Sequence, residues 1–174
     1  IKLAALDRLN RVIFVGGYSK MLAASLRVGY VAANAELLQK LADLKMLAGL
    51  TSPELGERVV HRVLMEGQYR RHIERVRQRV DDARQRCMKG LLKLGLTIPH
   101  EAHAGMFVWA DCGRDSEVLA REAADRGMLL APGTLFSPTQ APSTMLRFSV
   151  SIADHRGIWA ELEKLFAQNG SYNQ

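Results

Sequence analysis

Val12-Ile13-Phe14-Val15-Gly16-Gly17-Tyr18-Ser19-Lys20, followed seven residues later by Arg27-Val28-Gly29-Tyr30, is the stretch in which fold and chemistry meet. Four apolar residues predict a buried strand, and the two glycines and the serine predict a turn. The run from Val28 to Ala32 predicts a second strand. Lys20 and Arg27 fall on the loop between the two strands. An amine and a guanidinium so placed suit one small anionic ligand. Each residue also has a plainer reading, Lys20 as a surface lysine and Arg27 as half of a structural ion pair.

Both strands are apolar almost throughout, which predicts burial on both faces, as in an α/β sheet. Two strands do not make such a sheet, so further strands are expected upstream, and the chain is expected to come from something longer. Asn34 is placed to cap a helix through Leu37, Leu38, Leu41, Leu44 and Lys45. Ser52-Pro53 offers a cap and a first-turn proline for a helix to about Met65, stopped by Gly67. A long helix follows from Gln68 to Leu94, ending at Gly95. After Gly95, short strands are expected at 96–99, 106–110, 128–131 and 146–151. Helices are expected from Ser116 to Arg126 and from Asp154 to Gln168, with a frayed tail over 169–174. Strands returning through helices predict a small α+β domain with a mainly antiparallel sheet.

Net charge is +6, with 24% charged and 48% hydrophobic residues, the balance of an ordinary soluble globular protein. Much of the basic excess lies between Arg70 and Lys93. There Ile73, Val76, Val80, Ala83, Cys87, Leu91 and Leu94 recur at three- and four-residue steps. The arginines are therefore expected on the solvated faces of an amphipathic helix, with no aromatic interleaving suited to stacking bases. No apolar run is long enough to cross a membrane, and the first residues lack the features of a secretory signal. A cytoplasmic protein is expected. Cys87 and Cys112 have no metal-ligand spacing, and His100 and His103 have no third ligand nearby, so no metal site is expected.

Ser19-Lys20 with Arg27-Val28-Gly29-Tyr30 resembles the pyridoxal 5′-phosphate (PLP) lysine signature of fold-type I aminotransferases. Leu6-Asp7-Arg8 looks like the lead-in to the lysine strand, and Gly105-Met106-Phe107-Val108-Trp109 resembles a small-domain strand motif. Ala131-Pro132-Gly133 through Phe136 resembles the loop after the next strand, and Leu146-Arg147-Phe148-Ser149 the strand with the substrate-carboxylate arginine. The pieces occur in family order over nearly the whole chain. Glu66-Gly67-Gln68-Tyr69-Arg70-Arg71-His72-Ile73, with Arg75, Val76 and Arg77, resembles more narrowly the MocR group of GntR-type transcriptional regulators. That group joins a winged-helix DNA-binding domain to an aminotransferase-like domain.

The resemblance implies a PLP-dependent transferase-like α/β fold. Residues 1–67 would be the remnant of the large PLP-binding domain, 68–95 a connecting helix, and 96–174 a small α+β C-terminal domain. It implies that Lys20 holds the PLP aldehyde covalently and that its released amine serves as general base. Arg27 and Ser19 would hold the cofactor phosphate, and Arg147 the α-carboxylate of an amino acid or 2-oxo acid. Gly17 stands where relatives often carry Ser or Thr, which removes one phosphate hydrogen bond. Arg147 has its own plainer reading, an edge-strand arginine reaching water. The family implies a homodimer that binds DNA only through a domain outside this chain. The alternative is a free-standing aminotransferase of amino-acid metabolism; a third reading is a small stable domain with no ligand. The acid at the pyridine nitrogen and the stacking aromatic would come from upstream, so these 174 residues alone are expected to hold PLP weakly and not to transaminate.

Overall fold

The computed structural model describes residues 2–101 and 103–167. The chain divides into two compact units, Ile1–Val76 and Arg77–Gln174, and the division falls inside its longest helix.

In the first unit, α1 (Leu3–Asp7) leads into a turn closed by its own last residue. The Asp7 carboxylate accepts from the backbone N–H of Arg11 at 2.6 Å and of Val12 at 2.8 Å, so the chain reaches β1 in a set direction. β1 (Phe14–Gly17) and β2 (Gly29–Ala32) pair antiparallel, with Phe14 opposite Ala32 and Gly17 opposite Gly29. Then come α2 (Ala35–Gly49), α3 (Glu54–Met65) and α4 (Gln68–Lys93). Asn34 caps α2 as its side chain predicts, its Oδ1 accepting from Leu37 N at 2.9 Å. Among the described residues of this unit few are buried: Ala33, Gly56, Val60 and Ile73.

The second unit has the larger core. β3 (Phe107–Asp111), β4 (Ala131–Pro132) and β5 (Met145–Ser149) form an antiparallel sheet in the order β3-β5-β4. The α4 seam of Val80, Ala83, Cys87, Met88 and Leu91 packs with Val108 and Ala110 of β3 and Leu146 and Phe148 of β5. Leu119 and Ala123 of α5 (Ser116–Ala124) join it, with Leu162, Leu165 and Phe166 of α6 (Arg156–Ala167). Each fully buried leucine contributes about 1.5–3 kcal/mol before the entropy of ordering it. Gly90 of α4 lies against the Trp159 ring, where any Cβ would collide.

Several boundaries differ from expectation, for identifiable reasons. The strands read at 12–15 and 28–32 begin one or two residues later and are not buried on both faces. Val15 is 71% exposed and Val31 43%, because among the described residues no element covers that face of the two-stranded sheet. Ser52 does not cap α3: Pro53 takes the cap position in extended conformation, and the helix starts at Glu54. Asp115, not Ser116, caps α5, accepting from Glu117 N and Val118 N. Ser116 is instead buried within the first turn. Residues 96–99 form no strand, only a bridge from Thr97 to Asp111, since Pro99 lacks the N–H to extend it. The strand expected over 128–131 shrinks to Ala131–Pro132. The strand expected to reach Ser151 stops at Ser149, whose side chain turns the backbone into the 3-10 segment Val150–Asp154. The last helix starts at Arg156; its expected end at Gln168 and the tail over 169–174 lie outside the described residues. Among the described residues no helix is long and apolar enough to cross a membrane.

Arg84 is the one arginine of α4 that sequence periodicity misplaces: it is 4% exposed. Its Nη2 meets Asp81 Oδ1 at 2.7 Å and donates to His103 O at 3.2 Å, while Nη1 donates to Gly105 O at 3.4 Å. The loop entering β3 is thereby tied to α4. Arg84→Met should lower unfolding free energy by about 2–3 kcal/mol, read from urea denaturation, because two inward carbonyls lose their donors. A second expectation concerns pH. Burial pushes the Cys87 thiol from 9.0 up to about 11. Between those values the unfolded chain gives up this proton and the folded chain keeps it, so stability falls as pH rises through the window. Cys87→Ala should show a shallower loss between pH 9 and pH 11 in the same measurement.

Candidate functional site

Lys20 lies on the β1–β2 loop, in a turn closed by Tyr18. The Tyr18 carbonyl accepts from Met21 N at 3.2 Å and Leu22 N at 2.7 Å, and Tyr18 N donates to Val28 O at 3.0 Å. A 3-10 turn, Ala24–Leu26, then delivers Arg27, which takes the left-handed conformation at φ 51°, ψ 33°. A non-glycine residue there costs about 1–2 kcal/mol. Lys20 and Arg27 are not buried, and Ser19 is half-buried. None of the three side chains has a hydrogen-bond or ion-pair partner among the described residues. The loop thus carries two uncompensated cations and a free hydroxyl.

The backbone beneath them is held tightly. Gly56 of α3 abuts the loop so closely that a Cβ there would stand 2.6 Å from Leu26 O and 3.1 Å from Val28 Cγ2. His72 of α4 reaches the Lys20 turn from another side, its Nε2 lying 2.9 Å from Met21 O. Tyr18 packs between Tyr30 of β2 and Tyr69 of α4, with ring centroids at 5.8 and 5.9 Å. Three elements therefore fix a loop whose functional side chains stay free.

Arg147 belongs to the second unit. The pleat of β5 sends Leu146 and Phe148 into the core, so Arg147 emerges on the other face opposite Trp109 of β3. Its Cζ sits 4.2 Å from the Phe107 ring centroid and 4.5 Å from that of Phe136. Phe136 meets Trp109 edge-to-face at 5.4 Å. Arg147 Nε is shielded from solvent and finds no acceptor, and no carboxylate pairs with the guanidinium among the described residues. A partly buried cation without an acidic partner is costly unless an anion arrives to meet it. The residues singled out from sequence thus fall into two groups, Ser19, Lys20 and Arg27 on one loop and Arg147 on a strand of the other unit.

The family model for aminotransferase class I and II matches residues 2–157. The chain belongs to the class I and II aminotransferase family. A curated relative, 2-aminoadipate transaminase of Thermus thermophilus, is 34% identical over 161 residues, covering 88% of this chain and 40% of that protein. An uncharacterised HTH-type transcriptional regulator of Bacillus subtilis strain 168, YdfD, is 28% identical over 85% of this chain and 31% of its own length. The chain therefore spans well under half of these relatives. Among solved structures, the α-aminoadipate aminotransferase LysN from Thermus thermophilus, complexed with N-(5′-phosphopyridoxyl)-L-leucine, superposes with a TM-score of 0.78 at 31% identity. That match covers 95% of this chain and 43% of LysN. The expected PLP-dependent transferase fold is thereby established for this member of the aminotransferase family.

Other residues of this aminotransferase-family chain escaped sequence reading. Gly56 carries no sign of its contact with the lysine loop beyond a glycine inside a helical pattern, and the quoted motif that holds His72 gives no sign of its contact with Met21 O. Phe107 and Phe136 stood inside quoted motifs, but only the fold brings both rings to Arg147. Gly56→Ala should push the Leu26–Val28 backbone away and destabilise Ile1–Val76 by about 1–3 kcal/mol. Hydrogen exchange should show faster exchange of the Tyr18 and Leu22 amides in that variant.

Proposed function

We propose that this chain is the lysine-bearing and carboxylate-recognising part of a PLP-binding aminotransferase-like domain, the effector or cofactor domain of a MocR/GntR-type transcriptional regulator. The observation that carries it is a loop with two unpartnered cations, Lys20 and Arg27, held from below by three elements. Such a loop fits a ligand with an aldehyde and a phosphate. Lys20 Nζ would hold the aldehyde carbon of the cofactor, and once released the same nitrogen would accept a proton from the substrate carbon. Bound PLP supplies an electron-withdrawing ring that acidifies that carbon. Arg27 donates in pairs to the phosphate, with Ser19 Oγ as a further donor. Gly17 offers no side chain to help them. Arg147 receives the α-carboxylate of an amino acid or 2-oxo acid.

Regulators with HTH domains among the relatives support the regulatory reading, with DNA held by a domain outside this chain, in a cytoplasmic homodimer. The domain division follows the same reading: residues 1–67 as part of the large domain, 68–95 as the connecting helix and 96–174 as the small domain. The higher identity to 2-aminoadipate transaminase favours a second reading, a free-standing aminotransferase of amino-acid metabolism. Under either reading these 174 residues alone are expected to hold PLP weakly and not to turn over, since none of them is assigned as the acid for the pyridine nitrogen or as the stacking aromatic.

Absorbance titration with PLP tests the site in the intact protein. The unchanged protein should develop a visible band that Lys20→Ala abolishes, and Arg27→Met should weaken PLP binding about tenfold or more. A band of equal size in the Lys20→Ala protein would overturn the assignment. Amino-donor-dependent turnover would favour the enzyme reading over the regulator.

A further inference from the structure

Resting on the reading of Arg147 as a carboxylate receptor, we propose that Phe107 and Phe136 are specificity-determining residues that make this arginine select planar carboxylates over tetrahedral oxyanions. Both present ring faces to the guanidinium carbon, at 4.2 and 4.5 Å. Because Arg147 Nε is shielded and unpartnered, the two Nη groups are the donors left for a ligand. A carboxylate can lie in the plane of that end-on fork and accept two parallel hydrogen bonds. A sulfonate or phosphate places a further oxygen out of this plane, toward the electron-rich ring faces, where it is repelled.

Both rings are anchored, so the enclosure is built in before any ligand arrives. Phe107 opens β3 directly after the loop whose carbonyls, His103 O and Gly105 O, are held by buried Arg84. Phe136 ends the 3-10 turn Gly133–Phe136. That turn is pinned by buried Ser116, whose Oγ accepts from Gly133 N at 3.3 Å, and by Thr134 Oγ1, which donates to Glu117 Oε1 at 2.8 Å. Gly133 has no room for a Cβ, which would strike Ser143. At 43% and 44% exposure neither ring belongs to the buried core, so replacing one leaves that core filled.

The test follows the Arg147 Nε–Hε resonance by NMR at constant ionic strength and needs no cofactor. Acetate is the planar monoanion and methanesulfonate the tetrahedral one, titrated into the unchanged chain, Phe107→Leu, Phe136→Leu and Arg147→Gln, each checked for fold by circular dichroism. For Arg147→Gln the nearby Trp109 Nε1–H resonance reports instead. The unchanged chain should prefer acetate about tenfold. Either leucine variant should lose about fivefold in acetate affinity and most of the preference, and Arg147→Gln should lose acetate binding altogether. Unaltered acetate binding in Arg147→Gln would overturn the carboxylate reading beneath the proposal. Loss in Arg147→Gln with affinity and preference unchanged in both leucine variants would overturn the role of the rings alone.

Discussion

The two-residue period of β5 governs the second unit. Leu146 and Phe148 are drawn into a core closed by α4, α5 and α6, and burying two large apolar side chains outweighs the cost of what the pleat does to the residue between them. Arg147 has no alternative face. It emerges beside Trp109, with Phe107 and Phe136 against its guanidinium, because a one-residue slip would expose the apolar pair and bury the cation. The hydrophobic effect thus sets the direction of a charged group that contributes little to folding. Arg84 and the Ser116–Thr134 contacts then set the positions of the rings around it.

A different balance holds in the first unit. Its core is thin, and the face of β1–β2 bearing Val15 and Val31 is open among the described residues. The lysine loop is nevertheless supported on several sides, by Gly56 at Leu26 O, by His72 at Met21 O and by the Tyr18 ring between two others. Rigid backbone with unpartnered side chains is the arrangement that favours binding, since ordering entropy is met by folding and the charged groups keep their capacity for a ligand. Arg27 in the left-handed region fits the same pattern, a local strain retained at a point where the side chain makes no hydrogen bond or ion pair among the described residues.

Much of this was legible in the order of residues. The strand–turn–lysine–arginine–strand run, the Asn34 cap, the α4 seam and the antiparallel character of the later sheet all follow from local rules of period and capping. What was not legible depends on neighbours distant in sequence. Whether Val15 and Val31 are buried depends on what lies across the sheet, and an apolar run reads alike whether covered or bare. The cap of α5 turned on a one-residue competition between adjacent cap-forming residues, which Asp115 won by reaching two amide groups. Arg84 looked like one more solvated arginine; only the loop folding back over α4 buries it. Phe107 and Phe136 are 29 positions apart, and a shared strand neighbour, not a motif, unites them at Arg147.

Reduction of the PLP-treated intact protein with borohydride, followed by peptide mapping, addresses the central claim most directly. The account predicts a single stable phosphopyridoxyl adduct on Lys20 Nζ. A folded protein with no adduct, or with the adduct on another lysine, would contradict it and leave the β1–β2 loop without the role assigned to it.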